Sequence, residues 1–516
     1  MSQEIPLNGF YESTTLKNSA RRCVNLIPIN EPNGSLSTNM LECPSGLSLI
    51  EDQTAASATA TQDYSTAATG VITSQSKSVS ISTNSAQSAS AGDAVLVPYQ
   101  TFAIFYQGSG VKPRKLNFAD GFDYARIALS QNDIVICSPG YASGVSSDGS
   151  YCEISYPGTI ATSINVLSEF PLNPQFHDVV FAAGRMVWVS YDDTGSGRFR
   201  CYYSDIGATL PKATQFFSPD SSVSRLTGAH NLNGSLWVFD ADNAFLFTIT
   251  GSVTTPFQWQ RAATLPVGCA GPHAKAEVKG SLFVLGRTEN GSYSVVSIGS
   301  GRVSTPAVDY AINQKIKELD SFDILKKVKL FGYRDKGRDI LSVSVDDVTF
   351  CYNVTDNRWF EMSTNGGRWS VTGYGTSYGQ DLFVGSNITV GDGLISFELS
   401  TPSQTIGTEF NLTPERFCET GPLNANQQAI KVSEIEPMCS IDGDSDQSVY
   451  VSVSKDFGAT YGTERSSVVG SDSARTRFLS WGLFRQALVV KIRFSNAFPS
   501  KIIKLMSRIK SGGREQ

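Results

Sequence analysis

The sequence predicts an all-β protein, a β-propeller of about six blades followed by a C-terminal β-sandwich-like domain. Three observations carry this. Only 17% of the 516 residues are charged while 10% are aromatic and 45 are glycine, a mixture that suits short strands and many turns better than long helices. One short strand pattern recurs six times along the middle of the chain. Successive copies lie roughly 40–60 residues apart, the spacing of four-stranded propeller blades.

The copies are Asp133–Ser138, Arg185–Tyr191, Ser235–Asp240, Ser281–Gly286, Asp339–Val345 and Asp381–Gly385. Each follows a small or polar turn and precedes a second apolar run: Tyr151–Ile154, Arg198–Tyr203, Ala244–Thr250, Ser292–Ile298, Val348–Val354 and Leu394–Leu399. In the third copy Leu236, Val238 and Asp240 point one way and Trp237 and Phe239 the other, the period of two expected of strands. Asp356-Asn357 between two apolar runs reads as a hairpin turn. A pair of β-sandwiches would also give regular hairpins, but blade-like spacing over six copies favours the propeller.

Four segments follow from these patterns. Residues 1–50 form an N-terminal arm and first strands, and 51–95 a Ser/Thr/Ala-rich insertion without the large apolar groups a core needs. That insertion is either disordered or an arm that orders against a neighbouring subunit. Residues 96–402 hold the propeller, with helix expected only at Lys315–Leu319 and Ser321–Val328. Residues 403–516 form a separate β-domain with alternating runs at Ser448–Val453, Thr476–Trp481 and Ala487–Phe494. The closing stretch carries Lys501, Lys504, Arg508, Lys510 and Arg514 and reads as a solvated basic terminus ahead of one that touches phosphate or an acidic partner.

The net charge of −6 argues against holding duplex DNA by phosphate neutralisation, which needs clustered cations. The opening MSQEIPLNGFYESTT lacks the layout of a signal peptide, and no apolar run reaches membrane-spanning length, so no membrane insertion is expected. Nine cysteines, an odd number without C-x-x-C, read as reduced and mostly buried, in a protein made in the cytoplasm.

Catalytic patterns are missing. The three histidines, His177, His230 and His273, belong to no metalloprotease motif, and neither a nucleophile elbow nor a phosphate loop occurs. Asp178, Asp240 and Asp381 lie near strand ends, where a solvated or turn-capping carboxylate is expected ahead of a glycosidase acid. Asp442, Asp444 and Asp446 depart from the calcium-loop order and read as an acidic turn. The run Ser454-Lys455-Asp456-Phe457-Gly458-Ala459-Thr460-Tyr461 matches an Asp-box, in which the carboxylate satisfies backbone N–H groups, glycine supplies positive φ and an aromatic packs beneath. No catalytic, cofactor-binding or metal-ligating residue is assigned, and no cofactor is expected.

Several segments resemble the packaged-DNA stabilisation proteins, or tail accessory factors, of short-tailed bacteriophages. The opening Arg21-Arg22-Cys23-Val24-Asn25-Leu26-Ile27-Pro28, then Cys43-Pro44-Ser45-Gly46-Leu47, is similar to that family's N-terminal pattern. So are Tyr203-Ser204-Asp205, Pro256-Phe257 with Gly268-Cys269-Ala270-Gly271-Pro272, and Arg302-Val303-Ser304-Thr305-Pro306-Ala307-Val308. The Asp-box, Trp481-Gly482 and Leu488–Phe494 resemble its C-terminal domain. Cys43, and valine at 303 and 308 in place of isoleucine, depart from the pattern. The resemblance covers most of the chain outside 51–95.

It implies a structural, non-enzymatic tail-hub or nozzle subunit in the virion tail: a homo-hexameric ring below the portal and its adaptor. Such a ring extends the DNA channel, helps retain packaged DNA, and anchors a needle or plug and tailspikes or fibres. It encloses double-stranded DNA without binding it specifically. The alternatives are a receptor- or glycan-binding fibre or spike and, behind it, a propeller glycosidase.

Overall fold

The computed structural model describes residues 2–5, 7, 22–30 and 39–52, most of 175–399 and most of 415–511; between 53 and 174 it describes short strands by their backbone. The chain divides into two compact units, one of residues 49–332 and 371–398, the other of 1–48, 333–370 and 399–516.

The first unit is a series of small antiparallel sheets. Three four-stranded ones follow each other along the chain. The first comprises Gln175–Ala182, Arg185–Asp192, Cys201–Tyr203 and Phe216–Phe217, and the second Leu226–Leu232, Ser235–Asp240, Ala244–Ile249 and Phe257–Trp259. The third comprises Lys275–Val278, Ser281–Arg287, Tyr293–Gly299 and Arg302–Ser304. Each is a meander in sequence order, as propeller blades are. A fourth is built from Val371–Ser377, Gln380–Asn387, Gly393–Leu399 and Leu47–Asp52. The first repeat copy, Asp133–Ser138, pairs with Arg126–Leu129 and Ser150–Ser155 in a three-stranded sheet.

Five repeat copies therefore stand in small sheets with their expected partner strands beside them. The fifth copy also forms its hairpin, Arg338–Val345 with Val348–Asn353, but this hairpin belongs to a ten-stranded sheet of the other unit. Many hairpins are entered by a two-residue turn with both residues at positive φ: Ala183-Gly184, Asn233-Gly234, Lys279-Gly280 and Lys336-Gly337. This is the turn whose twist matches that of paired strands, and it explains a glycine recurring at the same place in the repeat.

Ser235–Asp240 is buried on both faces. Leu236, Val238, Phe245 and Phe247 pack against Val187, Val189, Cys201 and Tyr203 of the preceding sheet. Aromatic rings bridge the two sheets, Phe217 with Phe247 at 4.7 Å between centroids and Tyr203 with Phe257 at 5.8 Å. The opposite face of the first sheet carries Phe176, Val179, Met186, Trp188 and Tyr202. Full burial of each such side chain contributes about 1.5–3 kcal/mol.

Within the 51–95 tract, Thr61–Asp63, Val79–Ser82 and Ala94–Pro98 are strands of one five-stranded sheet with Phe102–Gln107 and Arg114–Phe118. These parts of the insertion order within the chain itself. The helix occupies Asp309–Lys317, beginning earlier than the predicted Lys315–Leu319. Within the predicted helix at Ser321–Val328 the described residues Ile324 and Lys327 are helical, and Val328 opens the strand Val328–Asp335.

The second unit holds two larger sheets. In the ten-stranded one, Arg22–Val24 lies between Arg358–Thr364 and Arg416–Glu419, and Val489–Phe494, Gln447–Ser454 and Arg465–Val469 continue the order. The six-stranded one places Ser500–Ser511 between Ile430–Ile441 and the N-terminal strands Ser2–Ile5 and Asn39–Glu42. The predicted solvated basic terminus is thus corrected. Ile502, Leu505 and Ser507 are buried, and neighbouring strands supply the acids: Lys501 pairs with Glu42 at 3.2 Å, Lys504 with Glu4 at 2.9 Å and Arg508 with Glu434 at 3.2 Å. Arg514 lies outside the described residues.

Candidate functional site

A buried polar junction ties together the three consecutive four-stranded sheets of the first unit. Asp178, on the strand Gln175–Ala182, is fully buried. Its Oδ1 accepts the N–H of Val179 at 3.0 Å, and its Oδ2 accepts the N–H of Ala229 in the second sheet at 2.9 Å. Lys275, which opens the third sheet, donates its ammonium to Asp178 Oδ2 at 2.7 Å and to the carbonyl of Pro272 at 2.7 Å. Neither side chain reaches solvent. Gly228 makes room for the pair: a Cβ there would stand 2.6 Å from the Lys275 ammonium and 2.8 Å from Asp178 Oδ2.

The segment Gly268–Pro272 completes the junction. The N–H of Cys269 donates to the Asp240 carbonyl of the second sheet at 2.9 Å, and that of Ala270 to the Leu285 carbonyl of the third at 2.8 Å. A Cβ on Gly268 would fall 1.8 Å from the Ala241 carbonyl oxygen, so only glycine fits that approach.

A buried carboxylate already neutralised by an ammonium and two backbone amides is held in place, and it is not poised to exchange a proton with a substrate. The expectation of a solvated or turn-capping Asp178 is corrected accordingly. Asp240 does cap its turn, accepting the N–H groups of Asp242 at 2.8 Å and Asn243 at 2.5 Å, although it too is buried. Asp381 lies in Gln380–Asn387 opposite Thr376, its side chain outside the described residues, as is that of His177 in Gln175–Ala182. His230 sits within the strand Leu226–Leu232 with Nε2 3.4 Å from Glu277 Oε2. The carbonyl of His273, a buried residue, accepts the N–H of Leu330 at 2.8 Å. Asp442, Asp444 and Asp446 fall outside the described residues.

The other motifs singled out in the sequence also do structural work. Ser204 accepts the N–H of Met186 at 3.0 Å, and Arg185 donates to the carbonyls of Ser204 at 2.7 Å and Val253 at 3.1 Å while lying over the Tyr203 ring. Asp205 binds Lys212 and Gln215. In the second unit Arg22 forks onto Glu361 with contacts of 3.2 and 2.6 Å. Asn25, at φ 53°, donates to the carbonyls of Ser363 and Glu415 and accepts the N–H of Ser363. Ser45 donates twice to Asp335. Three cations, Lys336, Arg338 and Lys501, converge on Glu42 at 3.2 Å each. Burial opposes ionisation of Glu42, but Lys336 and Lys501 outweigh it and hold the carboxyl below its usual range.

The Asp-box forms as expected. Asp456 accepts the Ser454 hydroxyl at 2.6 Å, the Thr460 N–H at 2.9 Å and the Thr460 hydroxyl at 2.5 Å, bonds that hold its carboxyl far below the ordinary range. Gly458 has φ 84°, and Phe457 beside it, at φ 59°, is exposed. The cysteines at 23, 43, 201, 269, 351, 418 and 439 are free thiols, all but Cys439 buried. Among the described residues no group of three or more His, Cys, Asp or Glu is placed to hold a metal ion, and no helix is long and apolar enough to cross a membrane.

Comparison with known solved structures returns the exo-β-1,3-galactanase of Phanerochaete chrysosporium, 10% identical, covering 74% of this chain and 95% of that one, with a TM-score of 0.28. It also returns BamB of Moraxella catarrhalis, 10% identical, covering 61% and 94%, with a TM-score of 0.35. At these scores neither supports an argument about this chain. No curated protein matches it. A family model described as "Bacteriophage P22 Gp10, beta-propeller" matches residues 116–397, more than half of the chain and the stretch that contains the three-sheet junction. The chain belongs to this phage stabilisation family, and it is a β-propeller protein with a structural role in the phage tail.

Proposed function

We propose that the chain is the hub, or nozzle, subunit of a short-tailed phage tail. In this reading it forms a homo-hexameric ring below the portal and adaptor, extends the DNA channel, helps retain the packaged genome, and anchors a needle and tailspikes or fibres. The family match over residues 116–397 is the observation that carries the reading. The junction of Asp178, Ala229 and Lys275 fits it, because sheets bolted together make a stiff block whose loops can serve as docking surfaces. Ring closure needs only a head-to-tail contact whose rotation closes on itself. The net charge of −6 suits a channel that encloses DNA without gripping phosphate, so that retention is steric and the genome slides out once a plug leaves. The chain works without covalent chemistry in this role. Negative-stain images of the purified protein, alone and mixed with its adaptor, test the proposal. Rings or adaptor-bound assemblies support it, and monomers alone in both samples overturn it.

A further inference from the structure

Four thiols gather in the second unit, at Cys23, Cys43, Cys418 and Cys439. Cys23 and Cys418 are direct cross-strand partners in the antiparallel pair of Arg22–Val24 with Arg416–Glu419. Partners in such a pair have Cα atoms about 4.5–5.5 Å apart, inside the range of about 4.4–6.8 Å that a disulfide spans. Both residues are fully buried, and the Cys23 thiol donates to the Leu26 carbonyl at 3.1 Å. We propose that Cys23 and Cys418 form an oxidative modification site, a disulfide that staples the short N-terminal strand into the ten-stranded sheet.

The strand to be stapled is only three residues long, paired on both sides, with polar contacts from Arg22 to Glu361 and from Asn25 to Ser363 and Glu415. Local opening of so short an element is the accessible route to its thiol. The route matters because burial, with Cys418 and Glu361 nearby, pushes the Cys23 thiol up and keeps it protonated while the strand is closed. In the open form the Cys23 thiolate attacks a small-molecule disulfide such as oxidised glutathione and releases one glutathione thiolate. The Cys418 thiolate then attacks the Cys23 sulfur of the mixed disulfide and releases the second. Two protein thiols are oxidised and one glutathione disulfide is reduced to two glutathiones, the two thiol protons passing through solvent to the departing glutathione thiolates. Reclosure buries the bond from reductants. A reducing cytoplasm disfavours the reaction and an oxidising exterior favours it. That timing rests on the tail reading above; the chemistry does not.

The test uses the purified full chain, incubated with oxidised glutathione in urea well below the unfolding transition, then denatured, alkylated and mapped by mass spectrometry. The expected product is a peptide pair joined through Cys23 and Cys418, lighter by two hydrogens, cleaved by dithiothreitol and absent from Cys418→Ser. The wild-type map decides the matter even where that variant does not fold. Full alkylation of Cys23 and Cys418 after oxidation overturns the proposal, as does a map in which Cys23 joins Cys43, whose charge acts on it. A Cys23–Cys418 bond in a protein that forms no ring leaves this inference standing and removes only the tail reading.

Discussion

Replacing Lys275 by methionine is the most direct test of the three-sheet junction. The change deletes the ammonium that donates to Asp178 and to Pro272 at 2.7 Å each, while leaving a side chain of similar length. Asp178 is then a fully buried carboxylate that has lost its ammonium partner while keeping the amides of Val179 and Ala229. Removing one partner of a buried pair costs about 3–5 kcal/mol. With a urea slope of about 3 kcal/mol per M, the unfolding midpoint falls by roughly 1–1.7 M. The double variant Asp178→Asn/Lys275→Met removes the stranded charge but keeps an oxygen to accept the two amides, and it should regain at least about 2 kcal/mol over the single variant. Trp188, Trp237 and Trp259 lie in the two sheets joined to Lys275, so tryptophan fluorescence during urea unfolding reports the change where it occurs. A single variant that unfolds within about 0.3 M of the native protein, or a double variant no more stable than the single, refutes the reasoning.

Gly268→Ala should be among the most damaging small substitutions, because its Cβ would overlap the Ala241 carbonyl and force the second and third sheets apart; a sharp loss of soluble protein checks it, with Gly291→Ser, where nothing lies within 4 Å, as a milder comparison. Glu42→Gln should destabilise the second unit, seen as faster proteolysis of the N-terminal strands, since it leaves Lys336, Arg338 and Lys501 without their common counter-charge. The Glu42 carboxyl is lowered on folding, so its contribution is present above the unfolded carboxylate range of about 4.3 and is lost as pH falls through the lower folded value, a loss that proteolysis at acid pH should show and Glu42→Gln should lack. Asp456→Ala should accelerate amide hydrogen exchange at Thr460, whereas acidification of the native protein from pH 7 to about 4 should leave that amide protected, because the folded carboxyl remains ionised well below the usual range.

The hairpins were legible because each is written locally. Ser235–Asp240 begins and ends where alternation and turn residues place it, and the other copies shift by a few residues at most. The glycine ending each Ala-Gly, Asn-Gly or Lys-Gly turn was a further repeat signal open to a sequence reader. The sheet to which a hairpin belongs is not local: Arg338–Val345 carries the same pattern as its siblings yet pairs in a different unit. Asp178 was misjudged for a related reason. Its partner lies 97 residues away, and no periodicity links a strand-end aspartate to a lysine two sheets later. The C-terminal cations looked solvated because Glu4, Glu42 and Glu434, which receive them, are distant in sequence.

The strand Ser500–Ser511 has a consequence for biosynthesis. Its neighbours Ser2–Ile5 and Asn39–Glu42 are translated long before it. Ser2–Ile5 and the hairpin of Ile27–Asn30 with Asn39–Glu42 therefore wait through the translation of the intervening residues before that strand exists, while the small sheets of the other unit can close hairpin by hairpin as they emerge. Ser500–Ser511 is the strand that joins Ser2–Ile5 and Asn39–Glu42 to Ile430–Ile441, so a protein cut short before residue 500 should expose those strand edges to proteases.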